Sequence, residues 1–454
     1  MKSAVFASVL GAAALVQASP QPLQKRALTP ITVKGNAFMQ GDKRFFVRGI
    51  AWQPGASAGN KDPLADTKIC MRDLEKFKKL GVNTVRVYST DNSLKHKECM
   101  DAFAQAGIYL VLDVNNPKYS INREKPIPSY NAEYLQSVFA TVEEFAQYDN
   151  TMAFFSGNEV VHDEKESTLA ARYVKAATRD MKSYMAQRKL RQVPIGYSAA
   201  DVSQNRKQTA EYFNCGTDDA RSDFFAFWCE ANMFQNDYSF CSSDVKTAGW
   251  DVKARNFSDY GVPIFLSEFG CNKNERNWGE IKALMTDKEI LATWSGGLVY
   301  EYTEEENNYG VVKINGDKVE ELSEFEPLVK AFKDYPAPTD MAGARSEDRK
   351  SECPKEDDHW LIGTDKLPKM PEDAKKYLKD GAGKGPGLNG PGSQNSGPAN
   401  IEDAENGSGS GGRADGTGAS ASNQGSNNNA GEANKASFLL AGSIVAFTVF
   451  SNLL

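Results

Sequence analysis

The chain has 454 residues, enough by length for one large domain, and a formal charge of −7 without a basic patch, which argues against nucleic acid as a partner. Seven cysteines in an exported chain imply disulfides with one thiol left over, and its three histidines (His96, His162, His359) stand at no metal-ligand spacing. Neither a metal nor a cofactor is expected, and a monomer is.

From the N-terminus, Met1-Lys2, an apolar run over 4–16 and Gln17-Ala18-Ser19 have the order of a secretory signal, which assigns residues 1–18 to a leader cleaved near Ala18. Lys25-Arg26 reads equally as a dibasic processing site or as an ordinary exposed pair. Eight apolar, β-prone runs follow at 45–52, 84–89, 109–114, 152–156, 193–198, 224–228, 263–267 and 297–302. Amphipathic segments separate them, among them 67–80, 95–106, 133–147 and 167–188; in the first, Ile69, Leu74, Phe77 and Leu80 recur near helical period. Eight strand–helix alternations predict a single α/β catalytic domain, a (β/α)8 TIM barrel over 31–353, with a flanking extension over 354–380. A doubly wound open sheet is the second choice, but it calls for a glycine-rich phosphate turn that the chain lacks.

Beyond the barrel, 381–431 is Gly, Ser, Asn and Ala with few large apolar residues and reads as a flexible linker. The apolar end, 438–454, follows small residues at Asn429-Ala430-Gly431. Residues 432–454 therefore read as a GPI-attachment propeptide with attachment at Asn429, leaving the protein on the outer face of the plasma membrane and in the cell wall. The alternative is a tail-anchoring helix, for which a short run containing Ser443, Thr448, Ser451 and Asn452 is a marginal span. Sequons at Asn256 and Asn406 are compatible with export.

Two β-runs end in a glutamate: Phe154-Phe155-Ser156-Gly157-Asn158-Glu159 and Ile264-Phe265-Leu266-Ser267-Glu268-Phe269-Gly270. A carboxylate at the end of a buried strand is costly. On the fourth and seventh strands of a barrel the two would face each other across the C-terminal mouth, where barrel enzymes carry their chemistry. Such a pair suits a retaining glycosidase, with Glu159 as proton donor and base and Glu268 as nucleophile. Repulsion between them is expected to raise the pKa of Glu159 while Glu268 stays ionised. Gln53, Tyr88, Asp113, Asn115, Asn158, Asp201 and Tyr300 fall at the same strand ends. Gly55-Ala56-Ser57-Ala58-Gly59 matches a serine nucleophile elbow, but its Pro54 and Asn60-Lys61-Asp62-Pro63 flanks leave no helix where the elbow needs one, so it reads as a loop. Glu304-Glu305-Glu306 reads as a solvated loop, or as the lining of an acceptor cleft.

Taken in order, several blocks resemble the fungal GPI-anchored β-1,3-glucanosyltransferases of glycoside hydrolase family 72. They are Gly49-Ile50-Ala51-Trp52-Gln53-Pro54-Gly55, Val85-Arg86-Val87-Tyr88-Ser89, Leu112-Asp113-Val114-Asn115-Asn116-Pro117-Lys118-Tyr119-Ser120-Ile121-Asn122-Arg123, Gly157-Asn158-Glu159, Ser267-Glu268-Phe269-Gly270-Cys271 and Gly296-Gly297-Leu298-Val299-Tyr300-Glu301-Tyr302. The resemblance implies an enzyme that cuts β-1,3-glucan internally and passes the new reducing end to the non-reducing end of another chain, so that its partners are donor and acceptor glucans. An endo-β-1,3-glucan hydrolase and a non-catalytic glucan-binding wall protein are the alternatives. The family pattern adds Asn116, Lys118, Tyr119, Ser120, Asn122, Arg123, Arg206 and Tyr238 to the expected glucan contacts, and implies disulfides Cys70–Cys99, Cys215–Cys353 and Cys241–Cys271. Around Tyr238 the family block is altered, and what looks like an insertion over 228–235 carries Cys229, the odd cysteine. The family's cysteine-rich carbohydrate-binding module is missing, as in one of its subgroups.

Overall fold

The structure, a computed structural model, describes residues 28–54, 61–228, 246, 249–270, 272 and 276–394. The expected leader, the elbow-like loop, Tyr238, Cys229, the Cys241–Cys271 pair, Asn406, Asn429 and the GPI signal lie outside these residues.

Eight parallel strands close into a barrel: β4 (Val47–Ala51), β5 (Thr84–Val87), β6 (Tyr109–Asp113), β7 (Thr151–Asn158), β8 (Ile195–Ala199), β9 (Phe224–Trp228), β10 (Ile264–Phe269) and β11 (Trp294–Val299), with β11 returning to β4. The closed barrel replaces the open sheet as an option. The first β-prone run divides at Phe46: its start belongs to a three-stranded antiparallel sheet of β1 (Ile31–Lys34), β2 (Ala37–Gln40) and β3 (Lys43–Phe45), and only its end is a barrel strand. A small antiparallel pair, β12 (Val312–Asn315) and β13 (Lys318–Glu321), follows the barrel.

Strand alternation sorts the side chains. Phe155, Phe224, Ala226, Phe265, Tyr109 and Val111 fill the barrel with Phe38 from β2, while Phe154, Phe225, Phe227, Leu110 and Leu112 join the helix-facing core. The rings of Phe38, Phe155, Phe224 and Phe265 lie 5.4–5.9 Å apart where they meet, forming an aromatic plug beneath the C-terminal mouth.

The helices follow the expected amphipathic pattern. Helix α1 (Thr67–Leu80) starts at Asp66, whose Oδ1 accepts from the Lys68 and Ile69 amides, buries Cys70, Leu74, Phe77 and Leu80, and stops at Gly81 with φ 72°. Others are α2 (Lys97–Gln105), α3 (Pro126–Ser129), α4 (Ala132–Ala146), α5 (Ala171–Gln187) and α6 (Arg206–Phe213). Among the described residues these are followed by α7 (Trp250–Asn256), α8 (Gly279–Thr286), α9 (Lys288–Thr293), α10 (Phe325–Asp334) and α11 (Lys375–Asp380). Among the described residues no helix is long and apolar enough to cross a membrane. Disulfides Cys70–Cys99 and Cys215–Cys353 are formed as the resemblance implies, the first joining α1 to α2 and the second holding the post-barrel chain to the end of α6.

The linker expectation needs correcting at its start. Residues 381–394 do not leave the barrel; Ala382, Leu388 and Ser393 are buried against it. Their glycines let the backbone lie directly on neighbouring side chains, a packing that low-complexity composition hides.

One buried ionic cluster ties loops to helices. His96, at the start of α2, meets Asp62 through Nε2 (2.7 Å) and Glu144 of α4 through Nδ1 (3.1 Å); Lys95 and Tyr148 also reach Glu144. Burial would lower the His96 pKa, but the hydrogen bonds and charges of Asp62 and Glu144 more than offset it and hold the imidazole at about 9, against an ordinary 6.5. Burial would raise Glu144, but its hydrogen bonds to His96 and Tyr148 and the His96 charge bring it to about 2, against 4.5. The His96 contribution is complete below pH 6.5 and fades as pH rises through 9; that of Glu144 is complete above 4.5 and is lost as pH falls through 2. His96→Gln is therefore expected to cost about 2–3 kcal/mol near pH 5.5 and much less at pH 9.5. Thermal melts at the two pH values check this, and an equal loss at both would refute it.

Candidate active site

The two strand-end glutamates sit where the barrel ladder breaks. The β7–β8 register shifts between Phe155 and Asn158, and the β9–β10 register shifts between Leu266 and Glu268. Bulges of this kind re-aim side chains beside active sites, and here one lies just before each glutamate. Strand β10 runs to Phe269, two residues beyond the expected run, so Glu268 lies within it.

At the centre is Arg86 of β5, fully buried between Val85 and Val87. Its Nε and Nη2 donate to both carboxylate oxygens of Asp113 (2.9 and 3.1 Å), and Nη2 also donates to Asn158 Oδ1 (2.9 Å). Nη1 donates to Glu268 Oε1 (3.1 Å) and to the Ser267 carbonyl (3.3 Å). The guanidinium carbon stands 4.6 Å from the Phe155 ring centroid and 4.2 Å from that of Tyr88, so the cation rests on the aromatic plug. One side chain thus binds groups from β6, β7 and β10. Sequence reasoning passed over it, although a lone arginine inside a Val-Arg-Val strand is as costly a burial as the glutamates that drew notice.

Glu268 Oε1 also accepts from the Tyr88 hydroxyl at 2.7 Å. Burial pushes the Glu268 carboxyl above the usual range; the Arg86 charge and the Tyr88 hydrogen bond oppose this, and the Asp113 charge adds to the rise. Its ionisation therefore depends on Arg86 and Tyr88 and is not a default, as the repulsion argument had it. Asp113 is likewise pushed up by burial and held down by Arg86.

Glu159, 7% exposed, follows β7 in the left-handed region at φ 49°. For a non-glycine residue this costs about 1 kcal/mol and is typical of functional sites. Its amide donates to the Ser198 carbonyl (2.8 Å), and its own carbonyl accepts from Arg123 Nη2, which pins it to the loop after β6.

The remaining expected contacts divide by role. Asn115 bridges the Ser156 carbonyl and the Tyr134 hydroxyl at the base of the same loop. Asn116 closes a tight turn, accepting from the Lys118 and Tyr119 amides, and Asn122 accepts from the Glu124 and Lys125 amides. Gln53 is buried and accepts from the Tyr88 and Ser89 amides, so it holds the loop after β5. Lys118, Tyr119 and Ser120 bond to the 390–394 segment. Asp201 and Arg206 pair with each other after β8, with Lys253 completing the group.

Tyr300 lies just past β11, its ring edge-on to Tyr309 at 5.7 Å. Next to it Glu301, 2% exposed, is pushed up to about 8 by burial; its hydrogen bond from Asn307 opposes this, and the Glu305 and Glu268 charges add to it. A carboxyl that keeps its proton at neutral pH spares the site another negative charge. Beyond Glu159, the consecutive residues His162, Asp163 and Glu164, the last two exposed, bring one ligand atom each within 4.8 Å of one another; the His162 ring bonds directly to Asp163.

The chain as a whole is similar to several known proteins. The family described as "Glucanosyltransferase" matches residues 21–336. The 1,3-beta-glucanosyltransferase gel1 of Aspergillus fumigatus is 53% identical over 390 residues, spanning 86% of this chain and 84% of that protein. The 1,3-beta-glucanosyltransferase GAS5 of Saccharomyces cerevisiae is 46% identical over 390 residues, spanning 84% and 78%. The solved structure of Saccharomyces cerevisiae Gas2p in complex with laminaritriose and laminaritetraose superposes with a TM-score of 0.69 at 35% identity, covering 78% of this chain and 79% of that one.

Proposed function

This chain belongs to the glucanosyltransferases of glycoside hydrolase family 72, and we propose from its site how it performs their reaction. It is a retaining β-1,3-glucanosyltransferase, cleaving β-1,3-glucan internally and moving the new reducing end to the non-reducing end of a second chain. The Glu268 carboxylate attacks the anomeric carbon while Glu159 gives its proton to the departing glycosidic oxygen, and a covalent glycosyl-enzyme forms. Glu159, now a carboxylate, takes the proton from the incoming sugar 3-hydroxyl, whose oxygen displaces Glu268. Arg86 and Tyr88 aim the nucleophile and favour its anion. The Asn158 amide, oriented by Arg86 and adjacent in the chain to Glu159, suits a sugar 2-hydroxyl.

The observation that carries this reading is the convergence of Tyr88 and Arg86 on Glu268, with Arg86 also binding Asn158, the residue before Glu159. Incubating the protein with reduced laminari-oligosaccharides and sizing the products tests it. Products longer than the substrate are expected; shorter ones alone would mean that water resolves the intermediate.

The apolar leader and the small-residue step before an apolar end support action outside the cell, GPI-anchored at Asn429 to the outer face of the plasma membrane. Asn256, exposed at the end of α7, is a reachable glycosylation site.

A further inference from the structure

The segment 382–394 runs like a strap from α5 and α4 onto the loops after β5 and β6, touching these two loops of the site in turn. It starts on the helices, where the Ala382 amide donates to the Tyr184 hydroxyl (2.8 Å) and its carbonyl accepts from Gln136 (3.2 Å). It then crosses the loop after β5: the Gly387 amide donates to Asn92 Oδ1 (2.9 Å) and the Leu388 amide to Asp91 Oδ2 (3.2 Å). That loop continues directly from Tyr88, which binds Glu268. The segment ends on the loop after β6. There the Gly390 carbonyl accepts from Lys118 Nζ (3.1 Å), the Gly392 amide donates to the Tyr119 hydroxyl (3.2 Å), and the Ser393 amide donates to the Lys118 carbonyl (3.0 Å). Asn131 Nδ2 donates to the Ser393 carbonyl (2.6 Å), and Gln394 Nε2 donates to the Ser120 carbonyl and hydroxyl (both 3.0 Å).

The fit is close. A Cβ on Gly385 would meet Asn92 Oδ1 at 2.1 Å, one on Gly387 would meet Asp91 Oδ1 at 2.5 Å, and one on Gly390 would meet the Tyr119 hydroxyl at 2.2 Å. Asn92 also donates to Ser137 and Thr141 of α4, so the strap closes onto a buried polar group with fixed partners. A flexible tether would not need glycine at each crossing.

We propose that 382–394 is a positioning segment of the glucan site, one that sets the height of the 115–123 loop over the donor and acceptor subsites. The link to chemistry is short: the strap holds Lys118–Ser120, and Arg123 three residues on holds the Glu159 carbonyl. Releasing the strap lets the loop move, and with it the acceptor-side contacts that let a sugar hydroxyl outcompete water. The inference rests on the glucanosyltransferase reading above.

The test keeps the full chain and replaces 382–394 by a Gly-Ser segment of equal length, with Gly390→Val and Gln394→Ala as milder variants should that replacement not fold. Each is compared with the unaltered protein on reduced laminari-oligosaccharides. Expected are a KM raised roughly tenfold, a transfer-to-hydrolysis ratio lowered severalfold and a smaller change in kcat. A role in stability alone would lower the melting temperature and leave KM and the product ratio untouched; that result, or no kinetic change in folded variants, overturns the proposal. If the unaltered protein itself made no product longer than its substrate, the function would fall instead.

Discussion

Glu268→Gln is expected to abolish turnover, by at least about 10³-fold in kcat, while laminari-oligosaccharide binding persists. The amide matches the carboxylate in size and still accepts from Tyr88 and Arg86, so the site keeps its shape. It cannot attack the anomeric carbon. Glu159→Gln should be comparably inactive on unactivated glucan, because no proton reaches the leaving oxygen. The two differ on a glucoside whose leaving group needs no proton: Glu159→Gln should then accumulate glycosyl-enzyme, detectable by mass spectrometry of the intact protein, and Glu268→Gln should not. Unchanged activity of Glu268→Gln, or a trapped intermediate on it, would overturn the assignment.

Removing Arg86 should hurt both folding and chemistry. Arg86→Met leaves Asp113 buried without its bidentate partner, and breaking a buried ion pair from one side costs about 3–5 kcal/mol. It also strips from Glu268 the charge that opposes burial, so the Glu268 pKa rises further and the acid limb of the pH–activity profile moves to higher pH. Arg86→Met/Asp113→Leu, which removes both charges, should recover much of the stability and little activity. Chemical denaturation and pH profiles of the three proteins separate the effects. An acid limb that stays in place in Arg86→Met would mean that Arg86 does not govern the nucleophile.

Much of this site was legible in the chain. Glu159 and Glu268 stand out because a charge closing an apolar β-run has few explanations, and the eight-fold alternation placed them on facing strands. Tyr88, Asp113 and Asn158 were found for the same reason, at strand ends. Arg86 was passed over because it is inside a strand, where alternation alone does not say whether a side chain meets solvent or the barrel interior. Gln53, Asn116 and Tyr119 were expected to hold glucan; in the structure their polar groups bond to the protein's own loops. The 381–394 stretch was misread because composition reports what a segment can bury by itself. It cannot report that a neighbouring loop offers Asn92, Asp91 and Tyr119 to its bare backbone.

The division has a physical basis. Hydrophobic periodicity, strand-end carboxylates and ordered motif blocks are local properties, and they sufficed for the barrel and for the place of the two glutamates at its strand ends. The partners of Arg86, the register breaks that turn Glu159 and Glu268 toward the mouth, and the docking of 382–394 join residues from 27 to 297 positions apart. Only closure of the barrel brings such distant groups within hydrogen-bonding distance. The proposed nucleophile is therefore named from sequence, while the partners that bear on its charge are set by the tertiary fold.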